Sequence, residues 1–312
     1  MEGITLKAHA KINLSLRITG KRPDGYHEIV SFMQGTGLHD VVTLKKCSGN
    51  GTKYNFPHCN LNELLVYLCT ASKTMPTDRS NLVFKGADVF LKAHGRDGLP
   101  EAVIVDIDKR LPVAAGIAGG SGNAAAVMIG LNALAGYPLS LRELMEAGTA
   151  VGADVPFSIF MNAYRNRDVL AGFKGIEEAR DSAWTAGIGE IVEAAQPVTR
   201  TVILANPGTG VSTKAAYEAM DSIGYSDIDK EDRSLFVNDM ESYTLKEHKK
   251  AAQLKQIMQD KLHADEVLMS GSGPSIVAYY MDSEKASEDM ELLAKLTGDM
   301  PGVKMWLSDT GK

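Results

Sequence analysis

Apolar and polar residues alternate from residue 4 to 18, a two-residue period that predicts a strand burying one face. Residues 26–45 read as one or two further strands, clearest at VVTLKK, and EAVIVDID (101–108) as another. The polar run 45–60 looks like a hairpin-like excursion with Asn50-Gly51 as its turn. Helical spacing takes over at 80–93, where Leu82, Val83, Val89 and Phe90 would pack, and again at LSLRELMEAGTAVG with Ser140 as N-cap. Residues 162–184 mix charge with little periodicity and read as a surface excursion, helical at most near IEEAR. TVILANPG (201–208) is a strand, TKAAYEAM opens a helix, 222–234 is a polar loop and 245–261 a single helix. The tail gives strand VLMSG, a glycine turn, strand SIVAYY, helix 283–297 and strand VKMWLS. This order suggests a compact domain of antiparallel sheet and helices behind a first domain of mixed character.

Between the strand at 101–108 and its helix lies LPVAAGIAGGSGNAAAV (111–127). Pro112 stiffens the approach, and Gly116, Gly119 and Gly120 let the backbone come close to a bound group. Ser121 and Asn123 suit a helix start, and Val127, Met128, Leu131 and Leu134 form its apolar face. The free amides and partial positive charge of a helix N-terminus suit phosphate. A tight turn with close helix packing would look the same. No lysine follows Gly120, which excludes the common phosphate loop, and no matching acidic residue marks a dinucleotide fingerprint.

Length allows two domains with proper cores, and 44% hydrophobic with 23% charged residues is ordinary for a soluble globular protein. A net charge of −6 argues against nucleic acid as a bulk partner. The three cysteines, Cys47, Cys59 and Cys69, form no Cys-x-x-Cys pair, as in a reduced cytoplasmic protein without a zinc site. The first residues read as neither signal peptide nor membrane span.

Four further segments carry candidate chemistry. In AKINLSLRITGKRPDGYHEI, Lys11 and Asn13 share one strand face, although a lone strand lysine is commonly a solvated edge residue. In VGADVPFSIF, Asp154 fits a turn or capping aspartate as readily as a catalytic one. SGSGPSIVAYY is a glycine turn between strands, and NPGTGVSTKAAYEAM brings Tyr217 onto an amphipathic helix, where an aromatic is usually core.

In this order and combination the segments resemble the GHMP small-molecule kinases over nearly the whole chain, with KINL followed by GKRPDGYHE the most specific piece. The resemblance implies an α+β, two-domain GHMP kinase fold: an N-terminal domain with a left-handed β-α-β crossover and a ferredoxin-like C-terminal domain, with ATP and substrate meeting between them. Boundaries would fall at 1–165, 166–200 (inserted segment and linker) and 201–312. It implies ATP-dependent phosphorylation of a hydroxyl on a cytidine diphosphate-linked polyol in isoprenoid precursor synthesis, with Mg2+. The protein would be cytoplasmic, a monomer or homodimer, without nucleic-acid or membrane partners. ATP phosphates would lie along Pro112, Val113, Ala114, Ala115, Gly116, Ile117, Ala118, Gly119, Gly120, Ser121, Gly122 and Asn123, with Asn81 near the adenine. Asp154 would be the general base, and Lys11 its positive neighbour and a balance for charge on the moving phosphoryl group. Tyr26 and Tyr217 would sandwich the cytosine, and Asn13, His27 and Thr213 would line the substrate pocket.

The pattern departs from the family in two places. Gly122 stands where the family carries a second serine, removing one hydroxyl from the phosphate or metal surroundings. About twenty residues, roughly 163–182, look inserted, since the family's Gly-x-Gly-Glu turn comes late, in TAGIGE. Such an insertion could be a harmless surface loop, a lid or an altered substrate wall. A diverged substrate, or a nucleotide binder without catalysis, are the alternatives these departures leave open.

Overall fold

The computed structural model describes residues 2–47, 56–228 and 232–311; the turn expected at Asn50-Gly51 lies outside the described residues. The chain divides into two compact units, each assembled from separated stretches. One takes the chain up to Ala10, His39–Val113 and Ala118–Asp181, and the other Lys11–Leu38, Ala114–Ile117 and Ser182 onward. The sequence reading instead divides the chain into consecutive blocks. Two long strands, β1 (Gly3–Lys21) and β2 (His27–Cys47), contribute to both units and pair with each other.

In the first unit, β3 (His58–Leu61) and β4 (Leu64–Thr70) form a hairpin through Asn62 and Glu63, both at positive φ. A two-residue connection favours that backbone because its twist matches the strands; neither strand is legible in the hydropathy pattern. Helix α1 (Leu82–His94) then crosses to β5 (Ala102–Asp108), which lies parallel to β4 and antiparallel to the end of β2. Val83, Phe84, Ala87, Phe90 and Leu91 make its buried face, whereas Leu82 and Val89 are only half-buried. Next come α2 (Gly119–Leu134), α3 (Leu141–Thr149) and α4 (Val155–Arg165). Ser140 caps α3 reciprocally with Glu143, as its sequence suggests.

Helix α2 differs from its expected form. Every residue from Gly122 to Leu134 is buried, so the face Val127-Met128-Leu131-Leu134 is part of a helix covered all round by α1, α4 and the sheet. Glycine permits the approach: a Cβ on Gly86 of α1 would sit 3.2 Å from the Ala124 carbonyl oxygen.

The stretch 162–184 is not a surface excursion. Its first residues complete α4, a 3-10 turn forms at Ile176–Glu178, and Leu170, Phe173 and Ala179 are buried. Phe173 stacks on Tyr137 with ring centres 5.6 Å apart, and the Lys174 carbonyl accepts a hydrogen bond from the Leu141 amide. Arg165 grips Asp181 through both carboxylate oxygens, at 2.5 and 2.6 Å. Three isolated apolar anchors carry no period, which is why the pattern misses them.

The second unit adds β6 (Ser182–Gly187), antiparallel to β2, and β7 (Ile191–Ala194) beside it. Then follow β8 (Arg200–Asn206), α5 (Thr213–Ile223), the short β9 (Val237–Asn238), α6 (Glu241–Glu247) and α7 (Lys249–Lys261). The single helix expected over 245–261 is two, broken at His248, whose φ of −111° and ψ of 82° are not helical. Last are β10 (Glu266–Met269), β11 (Ile276–Tyr280), α8 (Ser283–Leu296) and β12 (Lys304–Thr310). From β8 onward the sheet order β10-β11-β8-β12, all antiparallel, is the ferredoxin-like β-α-β-β-α-β arrangement. Among the described residues no helix is long and apolar enough to cross a membrane.

Candidate active site

The glycine loop folds through left-handed conformations at Ala114 (φ 52°), Gly116 (φ 74°) and Ala118 (φ 55°). Ala118, not Ser121 or Asn123, occupies the N-cap of α2, without a side-chain cap, and the Gly122 amide closes the first turn on the Ala118 carbonyl at 2.7 Å. The helix begins earlier than expected because the backbone reversal, rather than a capping hydroxyl, sets its first turn. Such an uncapped end leaves early amides outside the helical ladder. Ser121 is half-buried; Asn123 is buried, and its Oδ1 has no hydrogen-bond partner among the described residues. A Cβ at Gly122 would lie 3.2 Å from the His9 carbonyl oxygen of β1, a close approach that suits glycine.

A cation absent from the sequence reading sits at this helix start. A Cβ on Gly119 would lie 3.4 Å from Lys109 Nζ, which donates to Asp40 at 2.6 Å. Asp40 is fully buried, and its Oδ1 also accepts from the Arg110 and Leu111 amides at 2.7 and 2.8 Å. Asp40 thus anchors both the ammonium and the entry of the loop.

Within the second unit, Lys11 and Asn13 share a face of β1 as their spacing requires, and both are buried. Lys11 is not the solvated edge residue its isolation would suggest. Its Nζ donates to Asn13 Oδ1 at 2.7 Å, and Asn13 Nδ2 donates to Ser31 Oγ at 2.8 Å. The Lys11 amide donates to the Ile117 carbonyl, and Ser270 Oγ to the Gly116 carbonyl at 3.0 Å. The glycine turn after β10 therefore packs on residues 114–117. A Cβ at Gly116 would meet the Gly273 carbonyl oxygen at 2.9 Å, and one at Gly271 the Gly116 carbonyl at 2.9 Å.

The pyrimidine candidates fall in the same unit. His27 is buried and stacks on Tyr217 with ring centres 5.3 Å apart and planes 26° apart. Tyr26 lies in the preceding turn and is 60% exposed, while Thr213 Oγ1 stands 3.0 Å from Ser272 Oγ. Sequence reading misses the group that gathers these side chains. Asp221 accepts from His27 Nε2 at 2.7 Å, from the Tyr225 hydroxyl at 2.8 Å and from Lys21. Hydrogen bonds from Lys21, then His27 and Tyr225, hold its carboxyl well below the usual carboxylate range, and the same contact raises the Lys21 ammonium. Asp221 follows Tyr217 by one helical turn, a spacing that could have flagged it.

Asp154 belongs to the first unit, at the N-cap of α4, half-buried and making no cap hydrogen bond with its side chain, so the capping alternative does not describe it. Asn81 does cap: its Oδ1 accepts from the Val83 amide at 3.0 Å and its Nδ2 donates to the Pro76 carbonyl at 2.6 Å.

Residues 81–162 match the model of the GHMP kinases N terminal domain. The 4-diphosphocytidyl-2-C-methyl-D-erythritol kinase of Lachnoclostridium phytofermentans is 33% identical, covering 92% of this chain and 91% of that protein. Its counterpart in Clostridioides difficile is 34% identical over 92% and 90%. The chain belongs to the GHMP kinase family. It is an ATP-dependent small-molecule kinase. Among solved structures, a 4-(cytidine 5'-diphospho)-2C-methyl-D-erythritol kinase superposes with a TM-score of 0.72 at 24% identity, covering 99% of this chain and 100% of that one. The homoserine kinase of Cytophaga hutchinsonii superposes at 0.61 and 14% identity, covering 100% and 96%. These likenesses establish the GHMP kinase fold.

Proposed function

We propose that the protein transfers the γ-phosphoryl group of ATP to the 2-hydroxyl of 4-diphosphocytidyl-2-C-methyl-D-erythritol, a step of isoprenoid precursor synthesis. What carries the reading is likeness to kinases so named across more than nine-tenths of the chain, together with a matching set of residues. The substrate hydroxyl oxygen forms a bond to the γ-phosphorus as the bond to the β-phosphate bridging oxygen breaks. ADP departs, and the hydroxyl proton passes to Asp154. Phosphoryl transfer asks chiefly for alignment and for positive or dipolar groups around spread negative charge. The first turn of α2, with Lys109 beside it, suits the ATP phosphates. Lys11, oriented by Asn13, brings positive charge to the transferring group. Asn81, placed at the start of α1, remains the candidate nearest the adenine.

Mg2+ bound with ATP would neutralise charge on the phosphates. The unpartnered amide oxygen of Asn123 fits such a hard cation, with Ser121 as the second oxygen in the same turn. Among the described residues no group of three or more His, Cys, Asp or Glu side chains could hold a metal ion.

The test is ADP release by the purified protein with ATP, Mg2+ and 4-diphosphocytidyl-2-C-methyl-D-erythritol, beside the cytidine-free polyol phosphate. Turnover that requires the cytidyl part is expected; equal turnover of the two would overturn the substrate assignment. Tyr217→Ala should raise KM for the cytidyl substrate more than KM for ATP, by roughly 5- to 150-fold if one stacking face contributes about 1–3 kcal/mol. Equal rises in both constants would remove Tyr217 from the pyrimidine site.

A further inference from the structure

Three donors converge on Asp221, and one belongs to a buried histidine of the candidate substrate pocket. A carboxylate is an acceptor only, and Asp221 is held ionised by its neighbours, so His27 Nε2 must carry the hydrogen of their 2.7 Å bond. In the neutral ring that leaves Nδ1 as a lone-pair acceptor. Nδ1 has no hydrogen-bond partner among the described residues. The ring plane is set as well: Tyr217 lies along one face of His27, and Tyr225 meets its edge, with centres 6.0 Å apart. Tyr217, Asp221 and Tyr225 all come from α5 and the residues just after it, whereas Lys21 and His27 flank the turn between β1 and β2. Asp221 therefore ties that helix to that turn.

We propose that Asp221 is a positioning residue of the substrate pocket, fixing His27 as its Nε2–H tautomer so that Nδ1 accepts a hydrogen bond from a donor group, amine or hydroxyl, of the substrate. This rests on the kinase reading given above. The selectivity it implies is for a substrate presenting a donor to His27; a substrate offering only acceptors there would meet a lone pair. Lys21 fills the second carboxylate oxygen of Asp221, which keeps the first oriented toward His27 and Tyr225.

The experiment has two arms. In the first, nitrogen-15 spectra of the imidazoles in the full chain, assigned with His27→Gln, are compared between the natural protein and Asp221→Ala. The Nε2–H tautomer should dominate His27 in the natural protein and give way to a mixture in the variant. This arm needs no substrate, so it reads the positioning even if the substrate assignment fails. In the second arm, Asp221→Ala should raise KM for the cytidyl substrate about tenfold or more, with KM for ATP nearly unchanged. Placed in the His27→Gln background, the same substitution should lose most of its effect. Unaltered His27 nitrogen shifts in Asp221→Ala, or an equal KM effect in both backgrounds, would overturn the proposal.

Discussion

Asp154→Asn is expected to lower kcat by about 10²- to 10⁴-fold while leaving both KM values within a few-fold of the natural protein, the range set by loss of a general base. The substitution is nearly isosteric, and the Asp154 side chain makes no hydrogen bond to the first turn of α4, so that helix should keep its start. On the proposed mechanism, what changes is the capacity to take a proton from the substrate hydroxyl. Single-turnover measurement with saturating ATP separates this from slow product release. A single-turnover rate within a factor of three would dismiss Asp154 as the base and leave proton removal to solvent or to the phosphate itself.

The second large effect is on stability. Asp40→Ala leaves the buried Lys109 ammonium without its partner, together with two amides, of Arg110 and Leu111, that donate to the same carboxylate. Breaking a buried pair from one side costs about 3–5 kcal/mol, mostly through the stranded charge. The thermal midpoint should fall by on the order of 10 °C, and KM for ATP should rise because Leu111 and Lys109 lead into the glycine loop. Lys109→Met is the informative companion. It should cost less stability, since Asp40 keeps its two amide donors, yet weaken ATP at least as much. A calorimetric midpoint for Asp40→Ala within two degrees of the natural protein would show that the pair is better solvated than its burial implies.

The strand and helix periods made much of the fold readable. Alternation at 4–18 and 101–108 marks β1 and β5, and the tail from 201 onward gives the ferredoxin-like order almost element by element. The same alternation is misleading about exposure. A lone strand lysine is commonly solvated, yet Lys11, Asn13 and Ser15 on the polar face of β1 are all buried. Motif resemblance, not periodicity, is what draws attention to that face. Asp40 and Asp221 escaped for a different reason. Each acts by gathering groups distant in sequence, Asp40 with Lys109 and Asp221 with Lys21 and His27, and no local pattern records such pairings. The start of α2 was misplaced for a related cause: an alanine in a left-handed conformation has no signature in composition.

Arg165 and Asp181 meet at the base of residues 166–180, and their grip brings the two ends of those residues to one place. A stretch whose entrance and exit coincide is held at both ends whatever its length. Its exposed residues, unlike the buried Leu170, Phe173 and Ala179, can change in number or kind without shifting the register of α4 before it or β6 after it, since closing a longer loop across fixed ends adds little cost. The same property makes its exposed residues 167–169 a graft point, where a reporter peptide or an affinity handle could be spliced in while both flanking elements keep their places.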